Sequence, residues 1–355
     1  MEKRTFFVCL AMWLSCAVAG AQDKGRSDND EGRPIHKEQL EKEDYRPEIH
    51  GTIRAKYEYQ PQMEAGRFEV RTARVSITGN VLPKVAYKAE IDLSDEGEIK
   101  MLDAYARVFP FEGFNITAGQ MRVPFTIDAH RSPHEQYFAN RSFIAKQVGN
   151  VRDVGFTLGY VLPVEKKIIL EGGLYNGTGL TNQKEWRKVV NYSAKMQIFP
   201  TDAWNLSLSV QGIKPEEVWM RSYDIGTYFH KGRFHIEGEY LYKQYSDNAF
   251  DDVHSVNTFA NYDLPLRKVF SKMSFLVRYD MMTDQSDAKT TDEHTGNLVV
   301  TDYKRHRLTG GLTFSLSKAF RTDIRLNYEK YFYPEGGVAK ESEQDKVVLE
   351  LMVRF

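Results

Sequence analysis

The sequence predicts an all-β chain closed into a transmembrane antiparallel barrel of about sixteen strands, with one long loop folded inward. Three observations carry that reading. Apolar residues recur with a period of two over most of the chain, and short and long connections alternate between the extended runs. The chain also holds 20 Tyr, 21 Phe and 4 Trp, many near the ends of those runs, yet its one continuous apolar stretch lies at the N-terminus. A period of two means a strand with two chemically different faces.

Composition removes other classes. Lys and Arg number 48 against 49 Asp and Glu, a net charge of −1, without the basic excess that a nucleic-acid binder needs. The mean hydropathy of −0.51 excludes a bundle of membrane-spanning helices.

From the N-terminus, Lys3 and Arg4 form a positive start, residues 5–17 an apolar run too short to span a bilayer, and Ala19-Gly20-Ala21 a cleavage site. Residues 1–21 therefore read as a secretory signal peptide. Cys9 and Cys16 both lie within it, so the exported chain would carry neither a thiol nor a disulfide. Acylation of Cys16 is an alternative, although Trp13 stands where a lipobox favours leucine. Residues 22–46 are almost wholly polar, from Asp23 and Lys24 to Glu43 and Asp44. They read as a flexible tail, with room for a short helix over 37–44.

The body, residues 47–355, alternates. Ile49, Gly51, Ile53, Ala55 and Tyr57 oppose His50, Thr52, Arg54, Lys56 and Glu58. The last run sets Val347, Leu349, Leu351, Val353 and Phe355 against Val348, Glu350, Met352 and Arg354. Strands are expected near 48–59, 68–81, 85–94, 100–109, 114–121, 153–161, 167–176, 189–199, 204–213, 222–229, 233–245, 255–263, 270–282, 300–315, 321–333 and 345–355. Short turns such as Leu82-Pro83-Lys84 and His230-Lys231-Gly232 alternate with longer polar excursions at 95–98, 122–152, 177–188, 214–221, 246–254, 283–298 and 334–344.

An even number of strands, apolar outward and polar inward, short-looped at one end and long-looped at the other, is the pattern of a barrel in a bilayer. Closure leaves no unpaired sheet edge in lipid. Aromatic clusters at Phe109, Phe111 and Phe114, at Phe199 and Trp204, at Phe314 and Phe320, and at Tyr328, Tyr331, Phe332 and Tyr333 supply the interfacial rings such a barrel needs. A soluble β-sandwich would alternate too, but it has no reason for lopsided loops or ring aromatics. Phe355 closing an alternating strand is similar to the C-terminal signature of bacterial outer-membrane proteins.

Several stretches add a resemblance. They are Arg71-Thr72-Ala73-Arg74-Val75-Ser76-Ile77-Thr78-Gly79, Tyr87-Lys88-Ala89-Glu90-Ile91-Asp92, Leu102-Asp103-Ala104-Tyr105, Gly119-Gln120-Met121-Arg122-Val123-Pro124-Phe125, Asn140-Arg141-Ser142-Phe143 and Arg152-Asp153-Val154-Gly155-Phe156. In this order and spacing the region 68–160 resembles the phosphate-selective porin O and P family. That resemblance implies a sixteen-stranded porin in the outer membrane of a Gram-negative-type bacterium. It further implies a common homotrimer and phosphate-like anions passing a lumen narrowed by an inward loop.

The thirty-one residues 122–152 are too many for a turn, and Phe125, Ile127, Tyr137, Phe138, Phe143 and Ile144 would be anomalous in solvent. The loop is therefore expected to fold into the barrel. Its ionised groups are Arg122, Arg131, Arg141, Lys146 and Arg152 against Asp128 and Glu135, an excess of three cations, and a constriction of that sign favours anions. Pairing of these cations with Glu90, Asp92 or Asp103 would instead make them fasteners. Arg74, Lys88 and Arg107 are expected on the lumen wall. Other inward cations, Arg54, Lys56, Lys195, Arg278, Arg325 and Arg354, face as many acids, including Glu237, Glu239, Asp280, Asp323, Glu329 and Glu350.

The expected function is thus passive diffusion of small hydrophilic solutes with a lean toward anions such as phosphate, needing no cofactor and no metal, beside outer-membrane lipid. His130 and His134 flank Pro133, which disfavours the helix a two-histidine metal site would use. No G-x-S-x-G elbow occurs. A non-conducting binding or adhesion barrel, and an outer-membrane lipid hydrolase, remain the alternatives.

Overall fold

The computed structural model describes residues 45–147, 151–316, 321–334, 337 and 340–355. The expected signal peptide and nearly all of the polar tail lie outside the described residues, as do the turn at 317–320 with its Phe320 and part of the loop at 334–344. Sixteen strands follow one another: β1 Glu48–Gln60, β2 Ala65–Leu82, β3 Val85–Asp95, β4 Glu98–Val108, β5 Phe114–Arg122, β6 Arg152–Val161, β7 Lys167–Tyr175 and β8 Asn191–Thr201. The second half comprises β9 Trp204–Ile213, β10 Met220–Lys231, β11 Phe234–Tyr245, β12 Val253–Pro265, β13 Lys272–Met282, β14 Arg305–Leu316, β15 Arg321–Phe332 and β16 Lys346–Arg354. Each pairs antiparallel with its sequence neighbours, and β1 pairs with β16 to close the barrel.

The closing seam runs in register from Thr52 opposite Arg354 to Tyr59 opposite Val347. It ends with Gly51 and Phe355 exchanging backbone hydrogen bonds of 2.7 and 3.0 Å. The Phe355 ring covers Gly51 so closely that a Cβ there would lie 2.2 Å from it. A terminal aromatic thus packs on a glycine at the seam.

Alternation sorts the side chains as the sequence predicts. On β13, Phe275, Val277 and Tyr279 stand exposed on the outside while Ser274, Leu276, Arg278 and Asp280 are buried inside. The aromatic cluster near 330 splits by the same rule. Tyr328 and Phe332 face out, whereas the Tyr331 hydroxyl lies inside, 2.9 Å from Glu329. Phe109 is likewise buried. Aromatic clustering marks strand ends, but parity decides which rings reach lipid.

Two connections differ from expectation. The excursion at 95–98 is a two-residue turn in which Glu96 (φ 46°) and Gly97 (φ 104°) both take left-handed backbone, the conformation that matches the twist of a tight hairpin. β14 begins at Arg305, because residues 300–304 belong to the preceding loop, where Gln285 bridges to Asp302.

Candidate pore constriction

The loop 123–151 leaves β5 and rejoins β6 with its base held by a 3.0 Å hydrogen bond from Val123 N to Val151 O. Its backbone is then taken up by inward-facing wall side chains. Ser193 Oγ donates to Pro124 O at 2.8 Å, Thr126 N to Ser209 Oγ at 3.0 Å, and Lys195 Nζ to Thr126 O. The N–H groups of Ile127 and Asp128 both donate to the Glu239 carboxylate. Gly226 of β10 makes room, since a Cβ there would lie 2.6 Å from the Ile127 Cδ1.

Further along, Arg131 forks onto Glu237 of β11 and reaches Asp128 at 3.0 Å. Ala139 N donates to Asn327 at 2.8 Å and Asn140 Nδ2 to Glu329 at 3.0 Å. Arg54 donates to Gln136 and to Ala139 O, each at 2.5 Å. Arg278 and Arg307 donate to the carbonyls of Asn140 and Arg141 at 2.9 and 2.7 Å. The loop therefore lies against the inner wall from β8 round to β15 and β1. Nearly every tie satisfies a polar group that burial would otherwise penalise.

The short helix α1, Phe143–Gln147, puts Phe143 and Ile144 into an apolar cluster with Phe125, Ile213, Met220, Leu241, Tyr245, Val253, Met282, Ala288 and Tyr331. The long-loop end is thus packed dry along this side, and each fully buried large side chain contributes about 1.5–3 kcal/mol. The guanidinium carbons of Arg305 and Arg307 lie 4.5 and 4.6 Å from the Phe143 ring centre, within cation–π range.

The wall formed by β2 to β6 carries the remaining candidates. Arg74 pairs with Asp92 at 2.9 Å and with Glu90 at 3.3 Å. Lys88 reaches Glu90 and Asp103, both at 3.0 Å, and Arg152 reaches Asp103 at 2.6 Å and Glu90 at 3.1 Å. Arg107 donates to Thr117 Oγ1 at 2.7 Å and sits 5.3 Å from the Tyr105 ring. Arg122 donates to His130 O and to Ser132 Oγ, the latter at 3.4 Å.

Arg141 donates to Arg131 O at 3.4 Å. Burial, and then the charges of Arg122, Arg74 and Arg152, push its guanidinium well below the ordinary arginine value, with Asp128 acting the other way. Arginine keeps its proton in proteins, so the direction reports first the burial of this charge and second its arginine neighbours. Asp128 behaves oppositely. Burial raises its carboxyl, but Arg131 and the Ser142 hydrogen bonds hold it below the usual aspartate range.

The five loop cations therefore separate. Arg131, Arg152 and Lys146, the last 3.1 Å from Glu343, are ion-paired, while Arg141 donates to a backbone carbonyl beside other arginines. Among the described residues no three His, Cys, Asp or Glu side chains group as a metal set. The sequence reading did not single out Glu239, Asn327, Arg307 or Gly226 as anchors of the loop. Their inward parity was legible, but which loop atom each meets depends on contacts more than 80 residues apart in the chain.

Comparison with known proteins agrees with this architecture. Residues 48–202 match the model of the family described as phosphate-selective porin O and P. A search of curated protein sequences returns no match. An anion-selective porin from Comamonas acidovorans superposes with a TM-score of 0.59 at 11% identity, over 87% of this chain and 98% of that one. The outer-membrane channel DcaP of Acinetobacter baumannii gives 0.57 at 14% identity, over 87% and 96%. The trimer form of OmpT, an outer-membrane protein of Vibrio cholerae, gives 0.55 at 10% identity, over 87% and 98%. The chain is thus a closed sixteen-stranded antiparallel β-barrel with the fold of these outer-membrane proteins, and its residues 48–202 match the phosphate-selective porin O and P family.

Proposed function

We propose that the barrel is a passive diffusion channel for small hydrophilic solutes with a preference for anions such as phosphate. The solute path runs between the loop and the wall of β2 to β7, because the β8 to β15 side is occupied by the loop and its apolar cluster. One observation carries the sign of the preference: the partly exposed Arg141 and Arg122 share one space with Arg74 and Arg152. A narrow lumen with low-dielectric walls concentrates that field on a passing ion. Glu90, Asp92 and Asp103 are matched on the same wall by Arg74, Lys88 and Arg152, so the preference is supported by Arg141 and Arg107, which donate to a carbonyl and a hydroxyl. The family's description and the anion-selective structural neighbour point the same way. Homotrimeric assembly is proposed on the precedent of the trimeric neighbour.

Reversal potentials of the purified chain in planar bilayers under a KCl gradient test the sign. Anion preference is expected, and cation preference would overturn the reading. The filled half of the lumen favours one second reading, a non-conducting binding barrel, which would give no current while still migrating as a heat-modifiable barrel on gels.

A further inference from the structure

The wall of the proposed path carries one carboxylate that the ion-pair ladders leave out. Glu171 faces inward from β7, opposite Gly159 on β6 and Lys195 on β8, and it is partly exposed. Lys195 directs its ammonium to Thr126 O of the loop. Among the described residues Glu171 therefore accepts no hydrogen bond and forms no ion pair. The charges that act on it are those of Lys195 and Arg107. Glu90, Asp92 and Asp103, by contrast, are each matched by a cation of their own wall.

Arg107 stands across from it on β4, also partly exposed. Its Nε donates to Thr117 Oγ1 of β5 at 2.7 Å, a neutral partner that leaves the guanidinium charge uncompensated. Between the two charges the inward positions of β5 and β6 are Asn115, Thr117, Thr157 and Gly159, none larger than asparagine. The Asn115 amide lies over Gly159, where a Cβ would sit 2.5 Å from its Nδ2. Tyr175 likewise lies over Gly173, with its hydroxyl 2.7 Å from Thr157 Oγ1. Two strand spacings, about 10 Å, separate β5 from β7. Two hydrogen bonds of about 2.8 Å within that width leave about 4 Å between the polar groups of a bridging solute.

We propose that Arg107 and Glu171 form a two-point subsite on the solute path that favours small α-hydroxy carboxylates over anions without a hydrogen-bond donor of their own. The guanidinium takes the solute carboxylate, for which its fork is shaped. The Glu171 carboxylate, an acceptor only when ionised, takes the solute hydroxyl proton. An anion of the same size and charge without that hydroxyl meets Glu171 as repulsion with no compensating bond. The arginines thus admit anions, and Glu171 sorts among them. The inference rests on the proposed diffusion path and its anion preference, and it adds a residue and a solute class to that reading.

The test uses the full chain in planar bilayers at neutral pH, with chloride on one side and lactate or propionate on the other. These two monoanions are of nearly equal size and differ by one hydroxyl. From the reversal potentials the wild type is expected to pass lactate about threefold better than propionate, the order of one net hydrogen bond. E171A should bring that ratio close to unity while raising the permeability of both anions relative to sodium, because a negative charge leaves the path. E171D keeps the carboxylate and should retain part of the lactate preference. Heat-modifiable gel mobility verifies that each variant still forms the barrel.

Equal permeability of lactate and propionate in the wild type would overturn the proposal. So would an E171A chain that keeps the wild-type ratio. Reversal potentials in a KCl gradient on the same preparations separate this from the reading beneath it. Cation preference with the lactate ratio intact loses the anion preference alone, and anion preference with a ratio of unity loses the subsite alone. Calorimetric titration of the chain in detergent with each anion reads the same ratio without current, and equal binding of the two there would likewise overturn the subsite.

Discussion

The two sides of the lumen begin from the same sequence rule and end with different work. On β8 to β15, inward polar residues such as Glu237, Glu239, Asp280, Arg307 and Asn327 are spent on holding the loop, directly or through one another, and the space is filled. On β2 to β6, Arg74, Lys88 and Arg107 sit in ladders along the wall and stay partly exposed, with Arg141 and Arg122 facing them. An inward charge therefore has no fixed meaning in a barrel. It becomes a fastener where loop backbone arrives to claim it and a member of an ion-pair ladder where neighbouring wall side chains do.

Removing the loop should erase this difference most completely. Replacing residues 125–145 with a short Gly-Ser linker is expected to raise single-channel conductance several-fold and weaken anion preference, both read in planar bilayers. If conductance stays at the wild-type level, the loop does not set the narrowest point.

Glu237→Gln tests the fastening side. It removes one of the two carboxylates, Glu237 and Asp128, that the Arg131 guanidinium reaches, so the cost should fall below the about 3–5 kcal/mol of a fully orphaned buried charge. Reduced thermal stability with little shift in reversal potential is expected. A shift in selectivity without loss of stability would reverse the roles assigned to the two sides.

Arg141→Ala tests the open side. A unit charge about 5 Å from a permeating ion in a water-like dielectric is worth about 0.8 kcal/mol, or about fourfold in relative permeability. Anion preference should fall by that order while the barrel's thermal stability changes little. Lys146→Ala should do least. Lys146 is 46% exposed in its pair with Glu343, and such pairs contribute below about 1 kcal/mol, so neither melting nor reversal potential should move appreciably.

Much of the barrel was legible before any coordinates. All sixteen expected strands exist within a few residues of their expected ends, because a half-lipid, half-water strand must alternate at every position, and that pattern is local. The misjudged parts were those where alternation gives no signal. The hairpin at Glu96-Gly97 depends on two left-handed residues, and the start of β14 depends on a bridge from Gln285 to Asp302. Legibility was lower at the candidate site. The length and apolar content of 122–152 indicated an inward loop with an excess of cations, but which of its basic residues meet carboxylates emerged only once their neighbours were known.

The amino-acid sequence by itself determined the closed all-β architecture, the direction of each strand's faces and the charge of the loop, since each follows from nearest-neighbour periodicity or composition. Tertiary structure alone decided which half of the lumen is filled and which arginines meet carboxylates. Those outcomes depend on register between strands and on contacts between residues far apart in the chain, and a one-dimensional pattern does not encode the distance between them.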